Sequence, residues 1–141
     1  HVELHVEARR LPALLQPLLE AQVSVVVDHF GRPDPALGVD DPGFAALLAA
    51  GRSRRVWVKI SGAYRNGANG RGEAIALAAM PRLKDALGLD RLVWGSDWPH
   101  TQFESQIDYD KMWAFAGVLL PSAADRKQVL VDTPAQLFRF G

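Results

Sequence analysis

Apolar and polar residues alternate strictly at the start of this chain. Val2, Leu4 and Val6 fall on one face and Glu3, His5 and Glu7 on the other, a period of two that predicts a strand over residues 2–7. The period then lengthens. Leu11, Leu14, Leu15, Leu18 and Leu19 follow helical spacing, with Pro12 tolerated in the first turn and Pro17 expected to kink the helix. A β-branched run, Val23 to Val27, predicts a second strand that ends at Asp28-His29. Phe44 to Ala50 reads as a short helix, with Asp40 or Asp41 as its cap and Gly51 as its stop. Val56 to Ile60 is the third strand, closing on Ser61-Gly62. A glycine-rich loop from Asn66 to Gly72 precedes a helix over residues 73–87, which Pro81 should interrupt. Leu92 to Trp94 is the fourth strand, and residues 108–140 read as two or three helical pieces separated by Pro121 and Pro134.

Four strand-helix units in succession imply a parallel α/β sheet. An open doubly wound sheet and half of a (β/α)8 barrel both fit. No GxGxxG follows any strand, which argues against dinucleotide binding.

Composition narrows the function rather than the fold. The 141 residues are 48% apolar, enough for one core, and the net charge of zero leaves no footprint for nucleic acid or an anionic membrane. Cysteine is absent, so disulfides and thiolate metal sites are excluded, and a cytoplasmic location is expected. No apolar run approaches the roughly 18 residues of a membrane span. The chain opens His1-Val2-Glu3, without methionine and already in strand pattern. That opening leads us to expect a partial domain, residues 1–141, of a longer protein.

Each strand delivers polar groups at its carboxyl end, where parallel α/β proteins gather their chemistry. These are His5 and Glu7; Asp28 and His29, with Arg32 beyond; Ser61, Tyr64 and Arg65; and Asp97 and His100. Each has a structural alternative: a capped turn for Asp97 and His29, a core histidine satisfied by Glu7 for His5, a solvated loop for Arg65. Asp28 reads as a salt-bridge partner behind the site. Alternation would put His29 on the face of Val25 and Val27, and Asp97 on that of Val93 and Gly95. Trp57 and Trp94 then read as core.

The segments Val-Val-Asp28-His29-Phe-Gly-Arg32-Pro33, Val-Trp-Val-Lys59-Ile-Ser61-Gly-Ala-Tyr64-Arg65 and Trp-Gly95-Ser-Asp97-Trp98-Pro99-His100 resemble the amidohydrolase superfamily, in particular its branch of pyrone-dicarboxylate lactonases. Asp132-Thr-Pro134-Ala-Gln-Leu-Phe138 resembles that branch's closing helix. The resemblance implies the C-terminal half of a (β/α)8 TIM barrel, strands five to eight with flanking helices. It implies Asp97 as the base that activates water, its basicity raised by partial desolvation. His29 would stabilise the oxyanion of the scissile carbonyl, and Arg65 would grip a substrate carboxylate. Tyr64, His100 and His5 would line the pocket, although His5 stands where these lactonases often place a tyrosine.

The implied substrate is a small lactone or carboxylate, a carboxylated pyrone or a sugar-acid lactone. Many superfamily members bind Zn²⁺ through a His-x-His pair that this sequence lacks, together with further histidines and the last-strand aspartate. His29 and Asp97 alone are too few ligands, so no metal is expected in this chain, although a divalent ion such as zinc in the full-length protein stays open. A metal-dependent decarboxylase and an inactive half-barrel remain alternatives to the lactonase. Unpaired sheet edges make homo-oligomerisation a further expectation.

Overall fold

The computed structural model describes residues 1–140. Four strands, β1 (Val2–Leu4), β2 (Val25–Val27), β3 (Val56–Ile60) and β4 (Leu92–Trp94), form one parallel sheet in sequence order. The register places Val2 beside Val25, Val25 beside Val56 and Val58 beside Leu92. Three long connections carry helices α1 (Leu11–Glu20), α2 (Pro42–Ala50) and α3 (Arg71–Leu87). After β4 come α4 (Tyr109–Leu119), α5 (Ala123–Lys127), a π-helical turn (Gln128–Asp132) and α6 (Thr133–Phe138). This is half of a (β/α)8 barrel, with β1 and β4 as its edges.

The period of two sorts the sheet into two surfaces. Val25, Val27, Val56, Val58, Ile60 and Leu92 point to the helices and pack with Leu11, Leu15, Phe44, Leu47, Ala76, Ala79 and Leu83 into one buried core. Truncating one of the leucines there to alanine costs roughly 2–5 kcal/mol, the usual range for a fully packed site. Glu3, Val26, Trp57, Lys59 and Val93 share the other surface, which in a closed barrel faces its interior.

Several expectations change. β1 stops at Leu4, and the chain turns into a 3-10 segment, Ala8–Arg10, so Val6 is outside the strand. β2 starts at Val25, because Val23 donates to Leu18 O at the end of α1 instead of joining the ladder. Pro17 and Pro81 lie inside uninterrupted helices; both are on exposed faces, where a missing backbone donor is easily tolerated. Pro121 does separate α4 from α5, whereas Pro134 starts α6 at a position that needs no intrahelical donor. Asp41, not Asp40, caps α2: its carboxylate accepts from Gly43 N at 2.6 Å. Trp94 packs against the helical core as a partly buried ring. Trp57 does not, since its register puts it on the opposite surface under the Arg91 guanidinium, 4.6 Å from the ring centroid.

Candidate active site

The site is built on backbone that departs from strand geometry. His29 (φ 51°), Asp97 (φ 61°) and His100 (φ 61°) are left-handed. For a non-glycine residue that conformation costs on the order of 1–3 kcal/mol and tends to persist where surrounding structure enforces it. On β2 it also overturns the simple alternation. His29 does not follow Val25 and Val27 into the core; the left-handed turn swings its imidazole across to the ends of β3 and β4.

The result is a compact cluster. Asp97 Oδ2 accepts from the Tyr64 hydroxyl at 2.5 Å and from Arg65 Nε at 2.5 Å. Asp97 Oδ1 lies 3.7 Å from His29 Nε2, and His29 Nδ1 lies 3.0 Å from Ser61 Oγ. Asn66 Nδ2 donates to the His29 carbonyl at 3.0 Å, which pins the turn. The Arg65 guanidinium sits over the rings of Tyr64 and Phe103, and its Nη1 donates to Thr101 O. His100 is 4% exposed, with Nδ1 3.4 Å from the Tyr64 hydroxyl and Nε2 without a protein partner. Gly62 makes the approach possible: a Cβ there would meet His29 Nδ1 at 2.7 Å and Asp97 Oδ2 at 2.8 Å.

Burial pushes the Asp97 carboxyl up, but the hydrogen bonds from Tyr64 and Arg65 and the neighbouring positive charge outweigh it, and its pKa falls below the usual carboxylate value. The expected rise in basicity from desolvation is therefore reversed. Burial lowers His29 to about 4, against the pull of Asp97, so its ring is neutral at neutral pH. Burial and the bond to Asp97 raise Tyr64, which stays protonated.

Five of the six candidate residues thus converge: Asp97, His29, Tyr64, Arg65 and His100. His5 stands beside them, its ring edge-on to His29 at a centroid distance of 5.0 Å, with no contact to Asp97. Its partner is Asp28 rather than Glu7, at 3.1 Å from Nδ1 to Oδ2. Asp28 Oδ1 lies 3.1 Å from Lys59 Nζ, which also donates to Glu3 at 2.8 Å. Asp28 is thus the structural ion-pair partner its position suggested. Arg32, Ser61, Gly62, Asn66 and Lys59 were not assigned roles from sequence. Arg32 and Ser61 carried a signal in sequence as polar groups at the strand ends.

A cavity of about 520 Å³ adjoins the cluster through Arg65 and Asn66, with Arg9, Arg32 and Glu7 also on its wall. Asp97 and His29 do not line it, so this space lies beside the carboxylate rather than over it.

His5, Asp28 and His29 bring ligand atoms within 4.8 Å of one another, the one such group among the described residues. The donors are already engaged. Lys59 neutralises Asp28, Arg32 Nη1 lies 3.3 Å from His5 Nε2, and His29 Nδ1 faces Ser61. A divalent ion would sit against an ammonium and a guanidinium, so the trio as arranged does not fit one.

Fold and geometry together define an α/β-barrel protein with a polar centre at the carboxyl ends of its strands. The Amidohydrolase family profile matches residues 1–140, and the chain belongs to that family. It is 33% identical over 97% of its length to a 4-sulfomuconolactone hydrolase of Hydrogenophaga intermedia, covering 46% of that protein. It is 34% identical over 98% of its length to a 2-pyrone-4,6-dicarboxylate hydrolase of Comamonas testosteroni, covering 48%. Among solved structures, a Pseudomonas putida protein provisionally assigned as a 2-pyrone-4,6-dicarboxylic acid hydrolase superposes with a TM-score of 0.92. The two are 42% identical over 99% of this chain and 51% of that one. The chain therefore spans about half the length of the relatives it matches.

Proposed function

We propose that this chain supplies the water-activating and carbonyl-polarising part of a lactone hydrolase, acting without a bound metal on a lactone that carries a carboxylate or hydroxyl groups. The observation that carries the reading is the asymmetric use of Asp97. Oδ2 is held by two donors, which leaves Oδ1 free opposite His29 Nε2 across 3.7 Å. A neutral His29 that accepts from Ser61 at Nδ1 carries its proton on Nε2, facing that gap.

A water held by Oδ1 attacks the lactone carbonyl carbon as its proton passes to Asp97. The carbonyl oxygen gains the electron pair and takes the Nε2–H hydrogen bond of His29. Collapse of the tetrahedral intermediate breaks the ring C–O bond, and the departing oxygen recovers the proton from Asp97. A carboxylic acid and a hydroxyl group result, and the acid releases its proton to solvent as the carboxylate. Arg65 orients the carboxylate of the substrate, and Tyr64 and His100 shape the wall.

The relatives' lactone chemistry and the location of Asp97, His29 and Arg65 at the strand ends support this reading. Its test is a lactone panel assayed on the complete protein and on Asp97→Asn. Loss of roughly 10²–10⁴ in kcat with the fold retained is expected for removal of a general base. Hydrolysis near the wild-type rate would sink the reading.

A further inference from the structure

His5 was expected to touch substrate, but its contacts point elsewhere. An ionised carboxylate only accepts hydrogen bonds and a guanidinium only donates them. Flanked by Asp28 Oδ2 at 3.1 Å and Arg32 Nη1 at 3.3 Å, the His5 ring can satisfy both neighbours in one state alone, neutral with the proton on Nδ1. Lys59 reinforces that state. Its ammonium, 3.1 Å from Asp28 Oδ1, pairs with that oxygen and leaves Oδ2 turned toward His5. The contacts run from Lys59 on β3, to Asp28 at the end of β2, to His5 beyond β1, and on to Arg32. Arg32 itself lies in a left-handed turn (φ 47°) on the wall of the 520 Å³ cavity shared with Arg65.

Resting on the lactone-hydrolase reading, we infer that His5 is a positioning residue: through its Nδ1–H tautomer it holds Arg32 at the cavity, where the guanidinium receives an anionic substituent remote from the scissile carbonyl. The ligand class is a lactone with a second carboxylate or a comparable oxyanion. Guanidinium geometry suits such a group, and an arginine held by a second hydrogen bond loses less freedom when it binds. Lys59 and Asp28 act one step further back by fixing the tautomer.

Two measurements on the complete protein decide the matter. Long-range ¹H–¹⁵N spectra at neutral pH should show His5 as the Nδ1–H tautomer, and Asp28→Ala, which removes the acceptor at Nδ1, should relax it toward a mixture. An Nε2–H tautomer in the wild type overturns the inference. A double-mutant cycle then tests the function. His5→Phe should raise KM for a dicarboxylated lactone about tenfold with kcat little changed, and His5→Gln, whose Oε1 still accepts from Arg32, should recover part of it. In an Arg32→Ala background, His5→Phe should add almost nothing. Additive effects would mean that His5 contacts substrate or merely supports the fold, and would overturn the inference. If the wild type opens no lactone, the functional reading fails separately. The same cycle is then read from the Kd of glutarate by calorimetry, where absent binding or additivity overturns the role of Arg32 and His5.

Discussion

Arg65 and Asp97 form the tightest charged contact of the site, Nε to Oδ2 at 2.5 Å, yet the proposed reaction asks Arg65 to serve a substrate carboxylate as well. The two anions compete for one guanidinium. In the free protein Asp97 is held ionised below the usual carboxylate range despite burial. The acid limb of kcat/KM should accordingly lie below about 3.9, the value for an unperturbed aspartate. With an anionic lactone bound, part of Arg65 turns to substrate and Asp97 becomes more basic, so the acid limb of kcat should sit higher. Coincident limbs in the two pH profiles would show that Arg65 stays on Asp97 throughout.

His29 is shifted in the same direction as Asp97, and its signature falls on stability. Its folded value of about 4 lies below the 6.5 of an exposed histidine, so the unfolded chain binds the proton first. The stabilising contribution of the neutral ring is complete above 6.5 and is lost as pH falls toward 4. An NMR titration of the His29 ring should show a midpoint near 4, and a midpoint near 6.5 would contradict its burial as a neutral group.

Gly62→Ala should cut turnover by at least about a hundredfold, the scale seen when catalytic groups are misplaced by an ångström. The new methyl group would stand 2.7 Å from His29 Nδ1, at a backbone φ of 51° that itself favours glycine. The left-handed backbone alone should cost about 1–2 kcal/mol of stability, and the close contacts with His29 and Asp97 add to that loss in denaturant unfolding. A fully active, stable alanine variant would show that the His29–Asp97 gap tolerates widening.

The 141-residue chain on its own should hydrolyse no lactone and should associate with itself, because β1 and β4 are both free edges. Turnover by the purified chain, or a monomer in sedimentation velocity at micromolar concentration, would count against this.

The sheet and the convergence of most candidate site residues were legible in the sequence because apolar runs ended sharply in polar residues at Asp28-His29, Ser61-Gly62 and Gly95-Ser-Asp97. Helices were harder. Pro81 looks like a break in any linear reading, and only its position on an exposed face shows why α3 continues through it. His29 was recognised as a candidate but put on the wrong face, since period-two counting assumes the strand conformation that its left-handed turn abandons. The contacts of Gly62 and Arg32 were not legible for a different reason: they depend on which atoms stand about 3 Å away across the sheet, and spacing along the chain carries no such information. Asp97 shows the same limit in its chemistry. Burial alone suggested a strong base, whereas the hydrogen bonds from Tyr64 and Arg65 lower its pKa despite burial.

Lys59, Glu3 and Asp28 lie on the sheet surface that also carries Trp57 and Val93. That surface is consequently a lock with a charged ward rather than a uniformly greasy plate. Any layer that closes over it must fit the Trp57 indole and Val26 at one level and leave the satisfied Lys59 ammonium beside Val93 undisturbed at another. Misaligned mates strand a charge in a dry interior, so the same lysine that steadies His5 also selects which polypeptide surface can complete the barrel.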